Sequence, residues 1–337
     1  MSVPGFVRGS RQPGLLVCLG LVAVGFLVAL ALHDLSLSSS LPMADSVARC
    51  YEAGEEWREI ALEEIDRNGG PRRAVEKLSQ YMATPEHWAP HKFVAVLILG
   101  QCGTEAVPVL LEQLDHRDLR VRGNVLAALK GHKDSRAVLP LVRVLSEAKG
   151  AMRWQAAELL GHLDDSRAVP ELVKALDVAD PSVRYRAALA LGRIGDRQAL
   201  ASLICRLQDK HPEVRMAVVE ALGTLKDRSA VASLTAVLKD PSEGVRERAA
   251  WALGEVGEQV SVPSLVVALK DQSRAVRVAA ARSLGLLRSP QAVKPLESAL
   301  QDADPRVRGM ARAALLAIRG SGASMAQTAL EQEDERR

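Results

Sequence analysis

Aromatic residues are scarce in this chain, 3% of 337, and cysteines number only four. A core without aromatics has to be built from Ala, Leu and Val, and such side chains favour helices packed at close range. Four cysteines exclude a disulfide scaffold. Cys50, Cys102 and Cys205 follow the N-terminal apolar run and are expected as free thiols. A dominant sign of charge is lacking too. The 44 basic and 41 acidic residues leave a net of +3, which gives no strong attraction to nucleic acid. With 16 prolines and 24 glycines the chain is not collagen-like, and 48% hydrophobic content excludes wholesale disorder.

Signatures of catalysis are also missing. The sequence holds no G-x-x-x-x-G-K-S/T, no H-E-x-x-H and no G-x-S-x-G, and no G-x-G-x-x-G follows a strand. His116, His132, His162 and His211 share no common spacing that would converge them on a metal. No catalytic, cofactor-binding or metal-binding residue is assigned, and the chain is expected not to be an enzyme.

One long apolar run is present. Gly14 to Leu32 is nineteen residues without a charge, about 28 Å as a helix and close to the hydrocarbon thickness of a bilayer. Arg8 and Arg11 precede it, Asp34 follows, and the next cation is Arg49. The positive-inside rule then predicts a single-pass span with the N-terminus in the cytoplasm and everything else across the cytoplasmic membrane. The alternative is export with cleavage near Ala31, where Ala29-Leu30-Ala31 forms an A-x-A-like site.

The rest is organised by a period of 31. Arg122, Arg153, Arg184, Arg215, Arg246, Arg277 and Arg308 follow one another at that interval. Each is preceded by an apolar residue and followed seven positions later by a leucine, Leu129 through Leu315. A glycine comes next at Gly161, Gly192, Gly223, Gly254 and Gly285, and Lys92 starts an earlier copy one residue short. Each unit reads as two helices. In Asp180–Asp196, Asp180 and Pro181 form an N-cap and first turn, Val183, Ala187 and Leu191 share a face, and Gly192 with Gly195 are expected to end the helix. Asp196 is expected to cap a second helix over 199–207, whose buried leucine recurs at Leu141, Leu172, Leu203, Leu234, Leu265 and Leu296. Neither helix buries its stripe alone, so the units must stack.

The motif D-P-x-V-R-x-x-A-A-x-A-L-G-x-I-G-D at Asp180–Asp196 resembles the short HEAT-like repeat found in phycobilisome lyases, over about residues 88–319. The resemblance implies an all-α, right-handed α-solenoid (an α-α superhelix) of about seven to eight two-helix repeats, its concave surface lined by the second helices. It speaks for fold far more than for activity. Iron-binding HEAT-repeat hydroxylases use His-Glu pairs, and the sequence has no His-Glu dipeptide. The domain plan is a cytoplasmic N-terminus (1–12), a transmembrane signal-anchor (13–33), a linker (34–42) and an N-terminal capping helical hairpin (43–87). The repeat solenoid (88–320) and a polar tail expected to be disordered (321–337) complete it.

Recognition in repeat proteins falls on positions that vary within a constant frame. The residue after the ladder arginine is Trp154, Tyr185 and Met216 in three consecutive repeats, and Trp251 is expected on the same face. The outward position of the second helices includes Arg143, Lys174, Ala236 and Val267, a basic-to-apolar gradient suited to a peptide or protein. The arginine ladder itself reads as structural, paired with acids such as Asp134, Asp165, Asp196, Asp227 and Glu258 in the inter-helix turns. The sequence therefore predicts a non-catalytic, membrane-tethered scaffold for a protein partner. A lyase or lyase subunit related to the HEAT-repeat bilin lyases is the alternative, and nucleic acid is not an expected partner.

Overall fold

The computed structural model describes residues 62–63, 65–66, 69–83 and 89–320. The apolar run 14–32, the segments 1–12 and 34–42, most of the 43–87 hairpin and the 321–337 tail lie outside the described residues. Among the described residues there is no strand, and no helix is long and apolar enough to cross a membrane.

The helices gather into two units, one ending at Ala137 and the other beginning at Val138. The first contains α1 (Pro71–Ala83), α2 (Ala89–Leu99), α3 (Val107–Glu112) and α4 (Leu119–Leu129). Lys92 is buried here and donates from Nζ to the carbonyl of Met82 at 2.9 Å. The second unit opens with α5 (Val138–Glu147) and then alternates long and short helices: α6 (Ala151–Leu163), α7 (Val169–Ala175), α8 (Pro181–Ile194), α9 (Leu200–Arg206), α10 (Pro212–Leu225) and α11 (Val231–Val237). It continues with α12 (Glu243–Val256), α13 (Val262–Ala268), α14 (Arg274–Leu287), α15 (Val293–Ala299) and α16 (Pro305–Ile318). Within this unit the repeated helices stack as a solenoid.

Why these residues make these helices can be followed in one repeat. Asp180 accepts the Ser182 N–H at 2.8 Å and Pro181 supplies a first residue that lacks an N–H of its own. Val183, Ala187 and Leu191 then fall on one face and are buried. The chain turns at Gly195, whose φ of +69° closes the helix with an N–H···O bond to Leu191. Asp196 next caps a short 3-10 turn, Arg197–Ala199, by accepting from the Gln198 N–H, so the second helix starts at Leu200 and ends at Arg206. Glu258, at the equivalent position later on, makes no such cap.

Gly192 does not end the helix. It is buried inside α8, and a Cβ placed there would lie 2.7 Å from the Cα of Ala221 on α10. Gly161 faces Ala190, Gly254 faces Ser283 and Gly285 faces Ala314 in the same way. The periodic glycine is therefore a close-approach residue through which successive first helices touch backbone to backbone. That contact is why the core does without aromatics. Leu160, Leu191, Leu222, Leu253 and Leu284 on the first helices are at most 0% exposed, as are Leu172, Leu203, Leu234, Leu265 and Leu296 on the second, each contributing about 1.5–3 kcal/mol of burial.

Candidate functional site

The ladder arginines run along the turns between repeats. Arg184 donates from Nε and Nη2 to the two carboxylate oxygens of Asp209, at 2.7 and 2.9 Å, and from Nη1 to the carbonyls of Val178 and Ala179. Arg215 grips Asp240, Arg246 grips Asp271 and Arg277 grips Asp302 in the same bidentate way. Each aspartate also accepts a backbone N–H two residues on. Its own carbonyl takes the Nη1 of the next arginine, from Arg215 through to Arg308. One continuous chain of alternating arginine and aspartate results.

The ladder arginines make ion pairs and carbonyl contacts at the starts of the first helices, and the partners differ from those read in the sequence. Asp134, Asp165, Asp196 and Asp227 cap the 3-10 turns or pair with neighbours such as Arg136 and Arg167. The acid that meets the ladder lies 25 residues downstream of Arg184, Arg215, Arg246 and Arg277, because that residue begins the turn into the next first helix. The recurrence of Asp209, Asp240, Asp271 and Asp302 at 31 was the signal for it. Burial works against the Asp209 and Asp271 carboxylates, yet the arginine and backbone N–H bonds outweigh it and hold both below the usual carboxylate range. At Asp302 the Arg277 hydrogen bond is the leading cause of the same lowering. Arg153 has Val178 where Arg184, Arg215, Arg246 and Arg277 have aspartate, and it donates to the Leu145 carbonyl instead.

Trp154 on α6, Tyr185 on α8 and Met216 on α10 are all half-buried and share one cavity of about 570 Å³. Pro181 and His211 form its edge at the N-terminal ends of α8 and α10. Arg186 is the residue sequence reasoning missed. Its guanidinium lies 5.4 Å from the centroid of Trp154 and 5.5 Å from that of Tyr185, held in place by Glu158 at 3.4 Å. Such stacking over two rings uses the flat face of the guanidinium while leaving its edge to hydrogen bond. Met216 rests near Gly244 of the following repeat, where a Cβ would come within 3.0 Å of its sulfur.

Trp251 is not part of this cavity. It lies on α12, its ring against Gly223, and lines a separate cavity of about 390 Å³ with Arg248 stacked over it at 5.5 Å. Glu247, the α12 residue equivalent to Met216, lines this second cavity as well, so it is the helix, bordering the next groove along, that separates Trp251 from the first cavity. Arg143, Lys174, Ala236 and Val267 are all exposed along the second helices, Lys174 paired with Glu171.

Among the described residues no cluster of three His, Cys, Asp or Glu side chains could hold a metal. Cys102 and Cys205 are free thiols, and burial pushes that of Cys102 up to about 12.

The profile for HEAT repeats matches residues 138–212, 200–273 and 262–336, more than half of the chain. The chain belongs to the HEAT-repeat family. No curated protein sequence matches this HEAT-repeat protein. Among solved structures it is similar to Escherichia coli YibA, with 18% identity, 74% of this chain and 96% of that one covered and a TM-score of 0.52. An engineered protein is similar at 22% identity, with coverages of 92% and 91% and a TM-score of 0.50. The complex of CpcE and CpcF of phycocyanin lyase from Nostoc sp. PCC7120 is matched at 26% identity, with coverages of 68% and 94% and a TM-score of 0.45. Likeness at these levels speaks for the fold alone.

Proposed function

We propose that this HEAT-repeat protein is a non-catalytic scaffold that holds a protein or peptide partner on its first helices, at Trp154, Tyr185 and Met216. Residues 14–32 tether it to the cytoplasmic membrane, with the N-terminus in the cytoplasm and the right-handed stack of repeats outside. The observation that carries the reading is the shared cavity. Three equivalent positions in a chain poor in aromatics hold Trp, Tyr and Met around one concave space, and a stacked arginine closes its side. These are the residue types that dominate the energetics of protein interfaces. Half-burial leaves their faces available to a guest while fixing their rotamers, which lowers the entropy lost on binding. The tether raises the local concentration of the scaffold for partners at the same membrane.

A photo-crosslinking side chain at position 185, in cells, tests this directly. A discrete protein adduct is expected that weakens with Trp154→Ala and is absent with the same probe at position 174. Adducts from position 174 and none from 185 would move the site to the second helices. Tyr185→Ala should cost the complex about 2 kcal/mol or more of binding and leave the melting temperature nearly unchanged. A C-terminal reporter active only outside the cytoplasm tests the topology, and a mature chain shortened to begin near Ala31 would replace the tether by export.

A further inference from the structure

The cavity beside Trp251 differs in kind from the one beside Trp154. Four arginines converge on it from three successive first helices: Arg248 of α12, Arg274 and Arg282 of α14, and Arg306 of α16. The one acid in its lining is Glu247. The four cations are held loosely. Arg248 meets Glu220 at 3.8 Å, Arg282 meets Glu255 at 3.9 Å and Arg274 meets Asp304 at 3.5 Å, all with partly exposed side chains. The Arg306 guanidinium makes no ion pair among the described residues. The ladder arginines Arg184, Arg215, Arg246 and Arg277, by contrast, are buried or half-buried and bidentate at 2.7–2.9 Å. The floor of the cavity is apolar, made by the Trp251 ring, Val278 and Ala279.

We infer that this second cavity is a docking site for an acidic peptide segment of a partner protein, one apolar side chain seated on Trp251 and Val278 and flanking carboxylates on Arg282 and Arg306. Charge complementarity sets the sign of the ligand. Loose pairs at 3.5–3.9 Å exchange their carboxylates for those of a guest at little cost, whereas a tight buried pair would not. The volume, about 390 Å³, suits one or two side chains. A nucleic acid fits less well. A single ring offers no row of stacking platforms for successive bases, and the neighbouring ladder residues Arg246 and Arg277, each neutralised by an aspartate, do not extend the positive field along the solenoid. The inference goes beyond the scaffold reading, giving the chain a second site of different selectivity about three repeats from the first.

The test uses the full chain in detergent and a fluorescein-labelled peptide of six glutamates around a central Phe-Leu pair, followed by anisotropy. Saturable binding is expected that weakens about tenfold or more in Arg282→Glu/Arg306→Glu and similarly when Phe-Leu is replaced by Ser-Ser. Both arginines are exposed, so the double variant should keep its melting temperature. Tyr185→Ala is expected to leave this affinity unchanged, which separates failure here from failure of the Trp154 site. Equal binding of the Ser-Ser peptide, or stronger binding of a single-stranded oligonucleotide competed by the same variant, would overturn the assignment. Binding that emerges only after residues 321–337 are removed would also overturn it, by giving the cavity to the chain's own acidic end.

Discussion

Arg246 shows what a single ladder residue does. Its guanidinium satisfies both oxygens of Asp271 and the carbonyls of Asp240 and Pro241, so its loss strands one charge and two acceptors at a buried turn. Arg246→Met is expected to cost about 3 kcal/mol in urea unfolding, and adding Asp271→Leu to recover most of it, since a buried pair removed whole costs far less than a pair broken. Acid reports the same contacts. Asp209, Asp271 and Asp302 have carboxyls lowered by their partners in the folded chain. Their contribution is therefore fully present above the ordinary carboxylate value of about 3.9 and is lost as pH falls below it. Melting temperature should drop through that window, less steeply in Asp271→Asn. At this scale the sequence was half legible. The period exposed the arginines, but pairing depends on where the turn brings the chain back, and an acid six residues from the next arginine looked no different from one in the inter-helix turn.

Among the elements, the first helices decide how closely repeats approach. Gly192 and Gly123 are both helical glycines, yet only one has a neighbour. A Cβ at Gly192 would sit 2.7 Å from the backbone of Ala221, while at Gly123 it would meet nothing within 4 Å. Gly192→Ala is expected to destabilise by about 1–3 kcal/mol despite the better helix former, and Gly123→Ala to stabilise by about 0.5–1 kcal/mol. Thermal melts of the two variants give opposite signs if close approach is the reason for the periodic glycine. Helix positions and the buried leucines were readable because 3.6-residue patterning and caps are local. The function of Gly192 was not, since a glycine near a helix end looks like a stop until the neighbouring helix is in place.

At the scale of the whole molecule, the two-helix repeat, its stacking and the Trp154–Tyr185–Met216 stripe followed from the period, and the second cavity did not. Trp154, Tyr185 and Met216 share a cavity because they occupy one repeat position on adjacent helices. Trp251 breaks that register and opens a second cavity, and the arginines that surround it recur at no single spacing. Regular features could be counted; the grooves that make recognition depend on side chains contributed by three helices at once.

The arginine–aspartate chain also makes the length of the stack adjustable. From Arg184 to Arg308 every link spans either 25 residues forward to a carboxylate or five or six back to a carbonyl, so excising one full period leaves no charge orphaned. Removing residues 212–242 would hand the carbonyl of Asp209 to Arg246 and set Gly192 against Ala252, a substitution of like for like. Such a shortened chain should fold with the same cooperative melt, whereas a cut of 29 or 33 residues should not. The molecule thus carries a built-in splice register, and gain or loss of whole repeats is the mutation its structure forgives.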